Sequence, residues 1–432
     1  MRAVVDRIFK LKAHGTDVPT EVVAGFTTFL TMAYIVIVNP QILSQAGIDH
    51  GAAFTATCLA AAFGSLAMGL VANYPIALAP GMGLNAYFTF TVVNGMGVPW
   101  QVALGAVFVS GCMFLAISVL RVREWLVNSI PMPLKLGIGA GIGLFLGLLG
   151  LKGMGLVTGN AATLVGLGHL DQPSTLLACA GFLLMAGLAA RRVPGAIIIA
   201  IAAATVAGVP FGLVSFTGVV SAPPSLAPTF LALDIAGALR IGILGVVATF
   251  FLVDVLDNMG TLIATLYRAR LMRPDGSVPR LERVLLADSC GAIVSSMLGT
   301  STTTSYIESA SGIQAGGRTG LTAVTVAGLF LACLVLAPLA LAVPAYATAP
   351  ALLFVSLAMM AALRDLPWDD MAEALPAAAT TLGIVFTFSI ATGIGLGFIT
   401  YVVVKTIAGR VREIRGAVWL IAAASAVLLA VE

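Results

Sequence analysis

The most informative scarcity in this sequence is that of charge. Only 9% of the 432 residues are Asp, Glu, Lys or Arg, whereas 59% belong to the hydrophobic set. A soluble domain carries about 25% charged residues, so this chain has too little polar surface to cover a particle of its size in water. The apolar residues come in long unbroken runs, which excludes the alternating strands of an outer-membrane barrel. The composition predicts a helical membrane protein with many spans.

Histidine and cysteine are also scarce. The three histidines, His14, His50 and His169, lie outside every apolar run, and the five cysteines are scattered singly. Single cysteines do not form the close pairs of metal sites or disulfides, so we interpret them as small packing residues and expect no cofactor. Glycine, in contrast, is abundant at 47 residues, which is typical of closely packed or interrupted membrane helices.

The apolar runs divide into spans. A helix needs about 20 apolar residues to cross a bilayer, and fourteen segments of roughly this length follow one another along the chain. The first seven are 22–43, 52–72, 75–95, 100–120, 134–152, 173–190 and 194–212. The second seven are 238–263, 283–299, 300–315, 319–342, 346–363, 373–389 and 391–407, and an extra apolar tail follows at 416–431.

The basic residues support this count. With a cytoplasmic N-terminus, 20 of the 22 Lys and Arg residues fall on the inside, and only Lys152 and Arg240 fall outside. Because cytoplasmic loops carry the excess of Lys and Arg, the pattern favours fourteen spans with both ends inside. The charges leave open whether the tail after Arg415 lies along the interface or forms a fifteenth span.

Two halves of seven spans enter the membrane from opposite sides, which predicts an inverted repeat, the architecture of many secondary transporters. In such repeats the site lies at corresponding interrupted segments near the midplane. The third segment of each half is interrupted here. One, at 74–88, contains two prolines and two glycines, and the other, at 299–312, is a polar Ser/Thr-rich run that makes a poor continuous helix.

Nearly all acids lie in loops or toward span ends, and the exceptions are Asp254, Asp257 and Glu308. Each opposes insertion by roughly 2.5–3.5 kcal/mol unless it faces a cavity or is protonated, so a functional site is the default interpretation. Asp254 and Asp257 share one helix face, and Asp288, nearer the cytoplasmic end, is a weaker candidate. The Lys and Arg residues of the predicted spans lie at the span ends and the histidines lie outside the spans, so these carboxylates must meet a cation, a proton or a hydrogen-bond donor. The alternative is that they, and Asn85, merely bond to helices and hold the fold.

Four stretches carry a family resemblance. They are EVVAGFTTFLTMAY at 21–34, APGMGLNAYF at 79–88, VDVLDNMGT at 253–261 and the run from Gly299 to Ser309. In this order they resemble the azaguanine-resistance-type purine permeases, a branch of the nucleobase/cation symporters, over nearly the whole chain. The resemblance implies a 7+7 inverted repeat in which the third and tenth spans each pair a short strand with a half-helix.

The resemblance also implies two domains and a set of site residues. A core domain would comprise 22–120 and 238–342, and a gate domain 121–212 and 346–407, with 1–21 and 408–432 as cytoplasmic terminus and tail. Asp257 would be the primary substrate ligand, with Glu308 and Asn85 beside it and Asp254 as the extra acid of this branch. Thr261 stands where related carriers have a histidine, so a histidine relay is not expected. Further candidate contacts are Phe26, Thr27, Phe88, Asn258, Thr261, Tyr306 and Ile307.

The chemistry of these groups suits a purine. Guanine presents N1–H and N2–H side by side, which a carboxylate accepts in parallel, and hypoxanthine keeps N1–H. Adenine would need a protonated acid or an amide, so guanine and hypoxanthine are favoured without excluding adenine. Buried carboxylates also take up protons, which makes Asp254, Glu308 and Asp257 candidates for proton coupling, with Na⁺ less favoured.

Two other functions are weighed. An anion carrier of the same architecture, of sulfate or bicarbonate type, would need a site free of acids. An intramembrane aspartyl enzyme would need its two acids on facing helices, whereas Asp254 and Asp257 share one. We therefore expect no enzyme and no nucleic-acid partner, but a proton symporter for purines in the inner membrane. A homodimer through the gate domain stays open.

Overall fold

The computed structural model describes residues 2–119, 130–160, 163–216, 218–240, 243–268 and 279–431. Helices dominate both halves of this described chain. In the first half they are α1 (Arg2–Phe9), α2 (Val18–Met32), α3 (Ile35–Ser44), α4 (His50–Ala67), α5 (Met82–Ala86), α6 (Trp100–Val119), α7 (Met132–Gly153), α8 (Pro173–Ala190), α9 (Ala196–Gly208) and α10 (Ile235–Ala238). In the second half they are α11 (Leu244–Arg268), α12 (Leu281–Leu298), α13 (Ser309–Gln314), α14 (Gly320–Cys333), α15 (Ala337–Leu341), α16 (Ala345–Met360), α17 (Met371–Thr387), α18 (Ile390–Ile407) and α19 (Gly416–Val431). Four short strands are β1 (Leu78–Pro80), β2 (Val157–Asn160), β3 (Leu164–Leu167) and β4 (Thr303–Ser305).

The helices follow the predicted segmentation. Among the described residues, eight helical segments are long and apolar enough to cross a membrane. Four shorter apolar helical stretches lie at Ala196–Phe211, Leu244–Val255, Met371–Thr387 and Gly416–Val427. A polytopic helical membrane protein is thereby confirmed, while the number of fourteen crossings stays a prediction.

The two interrupted segments meet in the interior. Strands β1 and β4 pair antiparallel, with Leu78 opposite Ser305 and Pro80 opposite Thr303. The pairing extends by backbone bonds from Gly81 N to Thr302 O and from Tyr306 N to Ala77 O, both 3.0 Å. Each strand is followed by a short helix, α5 after β1 and α13 after β4. The expectation of a strand and half-helix at spans three and ten is confirmed.

A buried strand needs partners for its backbone groups, because no water reaches them. The outer edge of β1 finds one in Ser65 on α4, whose hydroxyl donates to Leu78 O and accepts from Leu78 N, both at 3.0 Å. Pro80 has no N–H to satisfy. Ser65 beside the strand and Pro80 within it therefore allow β1 to be buried at its outer edge.

Four features differ from the sequence expectations. A hairpin, β2–β3, lies between the fifth and sixth predicted spans, so the fold is not purely helical. The first span is broken at residues 33–34, between α2 and α3. The eighth helix begins at Leu244, six residues after the predicted start, because a separate short helix, α10, precedes it. A further helix, α1, lies within the N-terminal segment. Apolar periodicity alone does not locate such breaks and hairpins.

Two polar side chains hold the start of α14. The carboxylate of Glu21, fully buried on α2, accepts the backbone N–H groups of Arg318, Thr319 and Thr322 and the Thr322 hydroxyl. Asn73 donates to Phe9 O and accepts from Gly320 N at 2.7 Å. These bonds satisfy N–H groups that a helix start leaves without partners. They tie the first, second and eleventh predicted spans together.

Close helix packing explains part of the glycine content. A Cβ at Gly137 on α7 would lie 2.7 Å from Ala377 O on α17, and one at Gly150 would lie 2.8 Å from Leu353 N on α16. Both distances are shorter than real Cβ contacts, so α7 approaches its two neighbours only because these positions lack a side chain.

The C-terminal tail is a helix that runs back along α18. A Cβ at Gly395, near the start of α18, would lie 3.2 Å from Ser425 on α19. Val418 and Ala422 are buried, whereas Leu420 and Val427 are exposed. Its exposed face is as apolar as its packed face, unlike the charged face of an interfacial helix.

Candidate functional site

The crossing of β1 and β4 lies against α11, which carries two of the predicted polar residues. Asp254 Oδ2 accepts a hydrogen bond of 3.3 Å from the Thr302 hydroxyl. Asn258 Oδ1 accepts one of 3.1 Å from Ser305 N. Asp254 and Asn258 are both 1% exposed. Their spacing of four residues lets one helix face contact both ends of β4.

Asn258 also contacts Asp288, the acid that the sequence marked as a weaker candidate. Its amide nitrogen donates to Asp288 Oδ2 on α12, and Asp288 is buried as well. The amide of Asn258 is therefore engaged at both its oxygen and its nitrogen. This arrangement braces β4 between α11 and α12, which the sequence did not reveal because these residues lie 30 or more positions apart.

Asp257 and Thr261 lie on α11, but their side chains fall outside the described residues. The helical spacing places residue 257 on the same side of α11 as Asp254, since side chains three and four apart share a face. The roles expected of Asp257 and Thr261 stay predictions.

Asn85 lies on α5, the short helix that follows β1. Its side chain is fully buried, and its Oδ1 accepts a hydrogen bond from the hydroxyl of Ser301. Its Nδ2 has no hydrogen-bond partner within the described part of the chain. A buried N–H donor is costly without an acceptor, so this group is suited to meet one from a bound molecule.

Glu308 follows β4 directly and precedes α13. Its Oε1 accepts a hydrogen bond of 3.0 Å from the hydroxyl of Tyr34. The side chain of Glu308 is half-buried, and the adjacent Ile307 is 40% exposed. Glu308 as a whole residue is therefore more exposed than Asp254, which is 1% exposed.

The predicted aromatic contacts separate into two groups. Phe88 is fully buried, and Tyr306 is 6% exposed with its hydroxyl donating to Pro80 O at 2.6 Å. Phe26, by contrast, is 48% exposed on α2, and the neighbouring Thr27 bonds to its own helix at Val23 O. Of these rings, Phe26 offers the freest face for stacking.

Sequence reasoning missed several polar partners. Tyr34, Ser301 and Thr302 bond to Glu308, Asn85 and Asp254 respectively. Ser301 and Thr302 lie within the polar run at 299–312, so that unusual composition was the available indication. Tyr34 is a single tyrosine in an apolar run and carries no such pattern.

The site joins two interrupted segments with buried acids and amides, as in a transporter. The permease family Xan_ur_permease matches residues 19–396. The chain belongs to this permease family. It is 48% identical over 421 residues to the adenine permease AdeP of Escherichia coli, with 98% of this chain and 95% of that protein covered. It is 44% identical over 418 residues to the guanine/hypoxanthine permease PbuG of Bacillus subtilis, with 94% and 95% covered.

Solved structures agree on the fold of this permease. The transmembrane domain of the cyanobacterial bicarbonate transporter BicA superimposes with a TM-score of 0.67 at 18% identity, covering 86% of this chain and 96% of that one. At this identity the likeness shows the fold alone, the 7+7 inverted repeat. The resemblance to purine permeases is confirmed, and the chain is a permease rather than an enzyme.

Proposed function

We propose that this permease is a proton-coupled symporter that imports purine nucleobases, with guanine and hypoxanthine favoured and adenine also accepted. The observation that carries this proposal is Glu308, a partly exposed acid that follows β4 at the crossing of the two interrupted segments and accepts a hydrogen bond from Tyr34. Relatives named for adenine and for guanine and hypoxanthine support the substrate class. The anion carriers that share the fold are disfavoured, because buried acids repel an anionic substrate.

The polar groups around the crossing complement a purine edge. An ionised carboxylate at Glu308 or Asp257 accepts the N1–H of hypoxanthine, or the N1–H and N2–H of guanine in parallel. Asn85 Nδ2, which lacks a partner among the described residues, supplies a donor. A donor is what the acceptor nitrogens of every purine require, including N1 of adenine. Acceptor and donor together hold the base in one orientation.

The remaining candidate contacts surround this polar pair. Phe26, half-exposed, is the ring we assign to stacking on the base. Thr27 and Ile307 would line the same space, and Thr261 would do so one turn after Asp257. Phe88, Asn258 and Tyr306 are buried and would act by shaping the site.

Coupling would use the same acids. A proton bound by Asp254, Asp257 or Glu308 would enter with the base and leave on the cytoplasmic side. Moving one charge inward releases about 2.3 kcal/mol per 100 mV, enough to concentrate a neutral base. The predicted core domain would move against the predicted gate domain during transport. The chain would lie in the inner membrane with its N-terminus in the cytoplasm. Na⁺ is a less favoured coupling ion than the proton. A homodimer through the gate domain is compatible with this scheme.

Uptake tests the proposed function. Cells lacking their own purine carriers, given this chain, should accumulate labelled guanine and hypoxanthine, and adenine more weakly, but not uracil. A proton ionophore should abolish accumulation, whereas replacing Na⁺ by K⁺ should not. Absence of uptake for every purine would exclude the function, and accumulation that survives the ionophore would exclude proton coupling.

Variants test the site. Asp257→Asn and Glu308→Gln should each lower purine uptake at least tenfold at equal amounts in the membrane, because the substituted amide loses the negative charge that accepts purine N–H groups. Asp369→Asn, an exposed loop acid, is the matched control and should transport normally. Normal uptake by both site variants would remove these residues from the site.

A further inference from the structure

A tyrosine in the first span contacts the carboxylate that faces the proposed substrate. Tyr34 is 1% exposed, and its hydroxyl donates to Glu308 Oε1 at 3.0 Å, although 274 positions separate the two residues.

The break in the first span places this hydroxyl. Tyr34 lies between the end of α2 and the start of α3. One turn earlier, Thr31 Oγ1 bonds back to Thr28 O at 2.7 Å, a contact that bends helices. The bend occurs beside α13. The side chain of Tyr34, which follows the bend, therefore reaches Glu308, the residue that precedes α13.

The same span also fixes the backbone of Glu308. Thr31 Oγ1 lies 3.0 Å from Ser311 Oγ, and Ser311 Oγ donates to Glu308 O at 2.7 Å. Tyr34 of the first span thus holds the carboxylate of Glu308, while Ser311, which lies beside Thr31, holds the carbonyl of Glu308. A flexible glutamate loses up to about 2 kcal/mol of side-chain entropy when it is ordered, and the bond from Tyr34 meets part of that cost before a ligand arrives.

Glu21 and Glu308 differ in how many of their carboxylate acceptor positions the protein itself occupies. Glu21 is fully buried, and both of its carboxylate oxygens accept hydrogen bonds from residues 318–322. Glu308 is half-buried and accepts Tyr34 at one oxygen. A carboxylate offers about four acceptor positions, so Glu308 keeps capacity for a donor from a bound molecule.

We infer that Tyr34 is a positioning residue, which orients the Glu308 carboxylate so that its remaining acceptor positions face the N–H edge of the purine. The inference rests on the proposed function. Because Tyr34 acts through Glu308, its hydroxyl would set how well the base is bound more than how fast the carrier cycles.

Tyr34→Phe tests this inference, because it removes the hydroxyl and keeps the ring that fills the interior. We expect the KM for guanine to rise about tenfold, with the maximal rate per folded carrier within twofold of the unaltered protein. The Kd for guanine, measured on purified carrier from the ligand-dependent rise in Tm, should increase by a similar factor. Tyr346→Phe is the matched control, since it removes a buried hydroxyl that bonds Ala204 O away from the site, and its KM should not change.

Each other result would overturn the inference. An unchanged KM and Kd for Tyr34→Phe would show that the hydroxyl does not position Glu308. Loss of folded carrier in Tyr34→Phe, with Tyr346→Phe normal, would mark the hydroxyl as structural. A failure of the unaltered protein to bind or take up any purine would overturn the proposed function, and the inference with it.

Discussion

At the scale of single residues, the number of hydrogen-bond donors around a buried carboxylate separates structural acids from candidate ligands. Glu21 accepts bonds from the backbone N–H groups of three residues and one hydroxyl at the start of α14. A helix start carries partial positive charge, so an ionised acid is stable there without a basic partner. Glu308 accepts one side-chain donor, the Tyr34 hydroxyl, and so keeps acceptor positions for a ligand.

Replacing Glu21 by alanine should therefore destabilise the fold. The change leaves buried N–H groups without acceptors, and each such group costs about 1–3 kcal/mol, so a loss of several kcal/mol is expected. Thermal unfolding of the purified protein in detergent would measure it as a clearly lowered Tm. Glu282→Ala, at an exposed position in the first turn of α12, is the control. Equal Tm values for the two variants would contradict this role of Glu21.

The sequence identified some of these residues and not others for a physical reason. Asp254 and Glu308 stand out because charge is expensive in apolar spans, and Asn85 because it lies in an interrupted segment. Glu21 and Tyr34 sit in stretches of ordinary composition, and their partners are more than 270 positions away. Composition and periodicity carry no information about such distances.

At the scale of elements, a network of ion pairs joins the start of α17, the end of α18 and the turn that precedes α19. Lys405 is fully buried and pairs with Glu373 and with Glu413, the latter at 2.6 Å. Arg410 pairs with Glu413 at 2.8 Å and with Asp370 at 2.6 Å. A buried Lys requires such partners, so the turn is held in place by charge.

This network predicts a dependence of stability on pH. Hydrogen bonds from Arg410 first, and from Lys405, lower the pKa of Glu413 from 4.5 to about 2. A pKa that is lower in the folded state than in the unfolded state adds stability above about pH 4.5, and this contribution is lost as the pH falls toward 2. Glu413→Gln should lower Tm at pH 7, and the difference from the unaltered protein should shrink between pH 5 and pH 3.

Thermal unfolding across that pH range would check the expectation, with Glu282→Gln as the control outside the network. A difference in Tm between Glu413→Gln and the unaltered protein that stays constant down to pH 3 would contradict a role for the ionised carboxylate. An equal change of Tm in the Glu282→Gln control would show that the loss of any carboxylate has this effect, whether or not it belongs to the network.

At the scale of the whole molecule, the sequence predicted the architecture better than its local detail. The inverted repeat follows from the number of apolar runs, and strands β1 and β4 lie in the two interrupted segments where the family resemblance placed them, whereas their pairing was not predicted. The hairpin β2–β3 and the break before Tyr34 depend on local contacts that hydropathy averages away. The architecture depends on the transfer of whole apolar segments of about 20 residues from water to the membrane. Hairpins and helix breaks depend on single hydrogen bonds.

Hydrogen bonds join the predicted core and gate domains at span ends that the charge pattern places outside. Gln41 on α3 donates to Val343 O at 2.7 Å and accepts from Thr348 on α16. Thr91, in the π-helical segment after α5, donates to Phe388 O at 2.7 Å, between α17 and α18. If the core moves against the gate during transport, these outer contacts must separate in each cycle.

Linking this outer contact should therefore stop transport. In a background without the five native cysteines, the pair Gln41→Cys and Thr348→Cys, joined by a short thiol cross-linker, should lose purine uptake. The pair Ala204→Cys and Tyr346→Cys is the matched control, because it joins α9 to α16 within the predicted gate domain, where no separation is expected. Uptake would be measured before and after the cross-linker, with the single variants alongside. Undiminished uptake after complete cross-linking of residues 41 and 348 would mean that the two domains do not part at this end, and alternating access would have to proceed without an outer opening there.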